Sequence, residues 1–490
     1  MKIQLNRISF GLPTKAFFID YTVSQKRQLP VVKEFIIRVL HSVGKSPVSL
    51  IQDYFGFTAA ETLAVLDDLI EESLIKWSDN EIELTAHALE NFEEIEGNML
   101  PRFFEVVDKT DNVFFELSEF RMLPNTVQRS GINSTSISLP LPDDCYSKLN
   151  DKAMSAFDSN FEHFREVVKG EDIYSEREEL YKINHVNGKY DISIPIPVEY
   201  YIETDAPDVL QTAYEDSNLD EWDISKSLFN YMDAAISTKP YSDVTRDFSD
   251  YISATDDPIL TRYWDDKTES INIELLLKHY ADGTAHHSKD TQLIVGNLYS
   301  DFNSQALTEK LKEIFSKKPK SSGLIWLSKG DNSTWGRTSE FGVLLESITS
   351  LFDNRKKTSK AVLALPCSSV SEAIEQRKVY RNRDIDPALI GCEKQFGGEN
   401  CEVLLLPNIM VACLLHLPMT DERNISLPVG YVSFAPELIE SVTSNITKWA
   451  SSENTLNDFF ERRDTRQEDT VLYRYLNKIL AQESALTSFP

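Results

Sequence analysis

CEVLLLPNIMVACLLHLPM, residues 401–419, holds two apolar runs separated by a short Pro-Asn turn. Each run is short and continuously apolar, the pattern of a strand buried on both faces. PVGYVSF (428–434) reads as a third strand. Upstream, TQLIVGNLY (291–299), SGLIWLSK (322–329) and KAVLALPC (360–367) have the same character. Between and after them lie helical stretches. NSQALTEKLKEIFSK (303–317) sets Leu307, Leu311 and Phe315 on one face, and SEFGVLLESITSLF (339–352), SVSEAIEQRKVYR (369–381) and PELIESVTSNITKWAS (436–451) follow. Strands alternating with helices predict an α/β domain over 291–450, its sheet parallel or mixed and covered on both faces.

Toward the N-terminus, residues 1–29 alternate weakly and suggest one or two strands. LPVVKEFIIRVLHSV (29–43) has helical spacing at Val32, Phe35, Ile36, Val39 and Leu40, with Pro30 at its start and Gly44 at its stop. PVSLIQDYFGF predicts a short second helix ended by Gly56. Thr58, with Glu61 three residues on, caps a third helix whose apolar face is Leu63, Leu66, Leu69 and Ile70. LIKWSDNEIELT then predicts two strands around Asp79-Asn80, and AHALENFEEI (86–95) a closing helix. Three helices, with L-x-x-L-x-x-x-x-L-I leading into a two-stranded wing, resemble the winged helix-turn-helix family over residues 30–95. That resemblance implies a DNA-binding third helix, but no Lys or Arg lies between Thr58 and Ile75, and Glu61, Asp67, Asp68, Glu71 and Glu72 do. Duplex affinity comes mostly from cations on phosphates. A protein-binding role is therefore expected of this segment.

Residues 101–290 read as an acidic α+β region. VFFELSEFRML (113–123) and STSISLPLP (134–142) suggest strands. KAMSAFDSNFEHFREVV (152–168) suggests a helix with Phe157, Phe161 and Phe164 on one side. KYDISIPIPVEYYIET (189–204) suggests an edge strand or an exposed extended segment, because Pro195 and Pro197 cannot donate to a ladder. DISKSLFNYMDAAIST suggests a helix and SINIELLLKHY a strand. The expected organisation is 1–100 (strands plus winged helix), 101–290, 291–450, and a helical extension over 451–490 containing DTVLYRYLNKILAQE.

The formal net charge is −28, and residues 301–490 carry 23 Lys+Arg against 25 Asp+Glu, so the excess lies in the first 300. Such a surface repels phosphate backbones. One window differs: from Lys310 to Arg383 there are 15 Lys+Arg against 7 Asp+Glu. No apolar run of about 18 residues predicts a membrane span, and MKIQLNRISFGLP lacks the apolar core of a signal peptide. Cys145, Cys367, Cys392, Cys401 and Cys413 are odd in number and never spaced C-x-x-C, which disfavours disulfides and zinc knuckles. A reduced, cytoplasmic protein without metal or cofactor is expected.

The order of elements over 291–450, from LIVGNLY through GLIWLSKGDN to VLLLPN and a glycine-bearing strand with Gly430, resembles the phospholipase D-like superfamily. The resemblance implies a nucleophilic histidine on an H-x-K-x-x-x-x-D strand, with a lysine neutralising phosphate oxygens. Here Met410 and Ala412 stand at those two positions, so the motif is degenerate. His287 and Lys289 make an H-x-K elsewhere, in a polar turn, but the fifth residue after Lys289 is Ile294 and not aspartate. His416 reads as a satisfied core histidine and Cys413 as a small hydrophobe.

SKGDNSTWGRTSE (328–340) follows a buried strand, where open α/β sheets bind ligands. It offers Lys329, Asn332, Ser333, Thr334, Arg337 and Thr338. The residues expected to meet nucleic acid or phosphate are Lys317, Lys318, Lys320, Lys329, Arg337, Arg355, Lys356 and Lys357. The two resemblances together imply a non-catalytic or degenerate subunit of a bacterial antiphage or DNA-processing complex. Its expected partners are proteins, an ATPase, helicase or nuclease, with nucleic acid at the basic window. A phosphodiesterase or nuclease with another site, and a ligand-sensing transcriptional regulator, stay open.

Overall fold

A computed structural model of the chain describes residues 1–27, 29–95, 97–124, 135–170, 178–214, 226–237, 244–317, 323–352, 361–380, 387–419, 423–452 and 455–457. It is a mixed α and β multidomain structure. One compact unit draws on Met1–Thr14, Arg129–Cys145 and Ile192–Pro490, the other on Lys15–Gln128 and Tyr146–Asp191. The opening strand β1 (Lys2–Arg27) is a single element that contributes to both.

In the second unit, α1 (Val31–Val43), α2 (Val48–Phe55), α3 (Ala59–Glu71) and the hairpin of β2 (Ile75–Ser78) and β3 (Glu81–Leu84) follow the expected order. Thr58 Oγ1 accepts from the Glu61 amide and the Glu61 carboxylate accepts from the Thr58 amide, a reciprocal cap. Gly56 closes α2 in the left-handed region (φ 68°) that glycine adopts without strain. Ile36, Ile37, Leu40, Ile51, Leu66, Leu69, Ile75 and Ile82 form the core. Val32, Phe35 and Leu63, expected on the inner faces, are exposed. At 3.6 residues per turn the arc that packs inward runs through Ile36, Ile37 and Leu40 and leaves positions 32 and 35 outside it.

The expected helix over 86–95 is split. α4 (Ala86–Glu90) stops after one turn, and β4 (Phe92–Ile95) forms a hairpin with β5 (Asn98–Pro101). Phe92 stacks on His41 at 4.0 Å, so the strand conformation buries an aromatic ring under α1.

β6 (Phe103–Glu116), β7 (Ile137–Ser138), α5 (Leu149–Ser159), α6 (Phe161–His163), β8 (Glu179–Glu203) and β9 (Ala206–Tyr214) come next. The sheet order is β6–β1–β8–β9, with β7 beside β1. Phe157, Phe161 and Phe164 pack together, as their spacing predicts, against Phe17, Ile19, Tyr21 and Val23 of β1. β8 lies between β1 and β9 in the sheet order, but among the described residues the stretch with Pro195 and Pro197 has no β9 neighbour and is an edge there, as expected. Its register with β9 begins at Val198, one residue past Pro197, so neither proline is asked to donate on that side.

The first unit continues with α7 (Lys226–Ala235), α8 (Val244–Thr255), β10 (Trp264–Asp265), β11 (Ser270–Ile271) and α9 (Ile273–Ala281). SINIELLLKHY is thus mostly helix and not strand. Asn272 caps it by accepting from the Leu275 amide, and Leu276 and Leu277 turn inward. Then come β12 (His286–Ser288), β13 (Thr291–Val295), α10 (Asp301–Lys317), β14 (Leu324–Leu327), α11 (Ser339–Ser350), β15 (Ala361–Pro366) and α12 (Val370–Tyr380). β16 (Ala388–Cys392), β17 (Cys401–Leu406), β18 (Met410–Pro418), β19 (Ser426–Ser433), α13 (Pro436–Ala450) and β20 (Leu456–Asn457) complete it. The helix expected in DTVLYRYLNKILAQE lies outside the described residues.

These strands form one mixed sheet, β12–β13–β19–β18–β17–β14–β15–β16–β20. β14, β15 and β16 are parallel to one another, and the remaining neighbours are antiparallel. The carboxyl ends of β13, β14, β15, β16 and β18 therefore meet the amino ends of β17 and β19 along one edge.

Candidate functional site at the carboxyl edge of the large sheet

Cross-strand register puts four polar side chains in a row. Trp326 lies opposite Leu404, Glu402 opposite Leu414, His416 opposite Pro428, and Ser426 opposite Pro418. Side chains alternate along a strand, so Trp326, Glu402, His416 and Ser426 share one face of β14, β17, β18 and β19. On the rest of that face Leu404, Leu406, Met410, Ala412 and Leu414 belong to an apolar core that α10 and α11 cover with Leu307, Leu311 and Leu344.

The row is hydrogen-bonded end to end. Trp326 Nε1 donates to Glu402 Oε1 at 2.7 Å, and His416 Nε2 lies 2.6 Å from Glu402 Oε2. His416 Nδ1 lies 2.9 Å from Ser426 Oγ. Glu402 is 0% exposed and His416 2%, while Ser426 is half-buried. Burial holds the His416 imidazole below its usual range, the Glu402 contact opposes this, and the Lys329 charge adds to it. A carboxylate only accepts, so the neutral ring donates from Nε2 and accepts the Ser426 hydroxyl at Nδ1. Two donors satisfy the two oxygens of a carboxylate that would be costly to bury alone.

A second chain of contacts runs beside the row. Lys329, just past β14, is 5% exposed, and its Nζ donates to Asn424 Oδ1 at 3.0 Å. Asn424 Nδ2 donates to Ser333 Oγ at 2.6 Å, and Thr334 Oγ1 donates to the Asn424 carbonyl at 2.9 Å. Asn6 Nδ2 reaches the Thr334 carbonyl, and Asn297 Nδ2 reaches Asn6 Oδ1. Burial lowers the Lys329 pKa, against the opposing pull of Asp331 and Glu402.

Of the residues expected to contact phosphate, Lys317 ends α10 and pairs with Glu313 at 2.6 Å. Lys329 faces inward. Arg337 is half-buried and its Nε donates to the Ser333 carbonyl at 3.1 Å. Lys318, Lys320, Arg355, Lys356 and Lys357 lie outside the described residues. In the 328–340 loop, Thr334 and Thr338 are buried and Ser333 is exposed. His287 is exposed on β12, and its Nδ1 accepts from Arg262 Nη2 at 2.8 Å. Met410 and Ala412 are 0% exposed.

His416 and Lys329, far apart in sequence, are brought to one edge by the fold. Glu402 and Ser426 join them there and are not marked by any motif in the sequence. The available signal was a lone acid inside CEVLLL, since a charge in a buried strand needs partners. On another part of the same unit, a cleft of about 840 Å³ is lined by Arg246, Asp247, Lys394, Gly398, Lys448 and Trp449. Among the described residues no three His, Cys, Asp or Glu side chains gather as a metal site, and no helix is long and apolar enough to cross a membrane. The chain matches no family model, no curated protein and no solved structure.

Proposed function

We propose that this chain is a degenerate subunit of a DNA-processing or antiphage complex, working by binding other proteins and lacking histidine-nucleophile phosphodiesterase chemistry. One observation carries the reading: Met410 and Ala412, where the phospholipase D-like pattern needs its histidine and lysine, are fully buried in the core face of β18. Neither a nucleophile nor a cation can meet a phosphodiester there. The DNA-processing setting comes from the winged-helix and phospholipase D-like resemblances.

The helical segment supports binding to protein. α3 exposes Glu61, Asp67, Asp68 and Glu71, which repel a phosphate backbone. Of these, Asp68 also meets Lys33, as does Glu72 just past the helix, and Glu72 meets Arg27 as well. α1 buries Ile36, Ile37 and Leu40 and leaves Val31, Phe35 and Val43 exposed. The outer apolar side chains, set among Glu34 and Arg38, offer a mixed surface of the kind that proteins bind. Nucleic-acid contact, the secondary part of the reading, is assigned to phosphates at the basic window.

The test is incubation of the full chain with single- and double-stranded DNA, RNA and bis(4-nitrophenyl) phosphate. No turnover is expected. Turnover that disappears in His287→Ala would overturn the reading.

A further inference from the structure

The polar row has one end inside the protein and one at its surface. Glu402 is sealed, His416 is nearly so, and Ser426 at the start of β19 is half-buried. Hydroxyl, imidazole and carboxylate follow one another at 2.9 and 2.6 Å. Trp326 Nε1 fixes the far carboxylate oxygen, so Glu402 cannot rotate away from the ring without losing a buried bond. A histidine kept only for packing needs its two nitrogens satisfied. It does not need a buried carboxylate on one side and a half-buried serine on the other. That order is what makes an alcohol nucleophilic, because the base removes its proton and the carboxylate orients and stabilises the resulting imidazolium.

We propose that Ser426 is a nucleophile, with His416 as its general base and Glu402 as the group that positions the ring, and that this edge hydrolyses carboxylic esters. The substrate class follows from charge. A phosphodiester anion needs cations beside the nucleophile. Here the buried cation beside the row, Lys329, directs its ammonium at Asn424 and has no hydrogen bond to Ser426 among the described contacts, and the chain carries −28 overall. A neutral ester carries no such requirement.

In the step, the Ser426 Oγ lone pair attacks the carbonyl carbon and the hydroxyl proton passes to His416 Nδ1. The tetrahedral oxyanion collapses, the C–O bond to the alcohol breaks, and Nδ1 returns its proton to the leaving oxygen. Water then attacks the acyl-serine, gives its proton to His416 Nδ1, and the acid departs as the serine recovers its hydrogen. This activity is of a different class from partner binding and stands independently of it.

The test uses the folded full chain and a fluorescent alkyl fluorophosphonate, which phosphonylates activated serines with loss of fluoride. The expected result is one adduct, mapped to Ser426 by peptide mass and absent in Ser426→Ala. His416→Gln should slow labelling by about 100-fold or more, the usual size of a general-base contribution. 4-Nitrophenyl acetate hydrolysis should fall in parallel. His416 and Glu402 variants can fail to fold, so labelling of the wild-type chain decides. Folded wild-type protein left unmodified at Ser426, or labelling equally strong in Ser426→Ala, overturns the proposal.

Discussion

The acids of α3 and the acid of β17 have opposite environments, though each sits one or two residues from an apolar neighbour in sequence. Asp67 and Asp68, between Leu66 and Leu69, and Glu71, after Ile70, face outward on a helix with one inward arc. Glu402 lies between Cys401 and Val403 on a strand covered on both faces, and has no outward side to turn to. The helix sheds its charge by rotation. The strand keeps its charge inside and must supply partners, which are Trp326 on β14 and His416 on β18. Exposed charge thus reports what the surface repels, and buried charge reports where the interior has been organised around it.

That contrast predicts graded costs. The largest follows from placing a lysine at position 412, where the proposed phospholipase D-like resemblance would have one. Ala412→Lys would bury an unpaired ammonium in the core of β18, and we expect loss of more than about 4 kcal/mol or no soluble folded protein, followed by urea unfolding. A stable Ala412→Lys protein would mean that this face opens to solvent.

Glu402→Ala leaves the Trp326 and His416 donors buried without their acceptor, at an expected cost of about 3–5 kcal/mol in the same assay. Thr58→Ala removes one side of the α3 cap and should cost about 1 kcal/mol. Asp67→Asn on the solvent face of α3 should change stability by no more than about 0.5 kcal/mol. Equal losses from Glu402→Ala and Asp67→Asn would erase the distinction between the two regions.

Elements whose pattern is local were legible in the sequence. The α1–α3 run with its Thr58–Glu61 cap, and the strand–helix alternation over 291–450, depend on spacing within a few residues. Elements decided by distant partners were not. SINIELLLKHY shows a strand-like apolar run, and the Asn272 cap and inward packing of Leu276 and Leu277 make it helix. Pro195 and Pro197 marked a local edge correctly, but that β9 pairs with the same strand from Val198 onward could not be read from them. The polar row was illegible for the same reason. Trp326, Glu402, His416 and Ser426 are spread over 100 positions of sequence and become neighbours only through the registers of β14, β17, β18 and β19.

The closure of that row can be read from His416 itself. With histidine-selective labelling, and His416→Gln to assign the signal, the ring can be titrated by NMR. Burial should keep it neutral, with Nε2 protonated, as pH falls through 6.5, the ordinary value from which it is lowered. The unfolded chain then takes up a proton that the folded chain refuses. The His416 contribution to stability is therefore full above pH 6.5 and lost as pH drops below it, and His416→Gln should remove that part of the slope. A ring that titrates at or above 6.5, or whose Nδ1 carries the proton at neutral pH, would contradict a closed row of Ser426, His416 and Glu402.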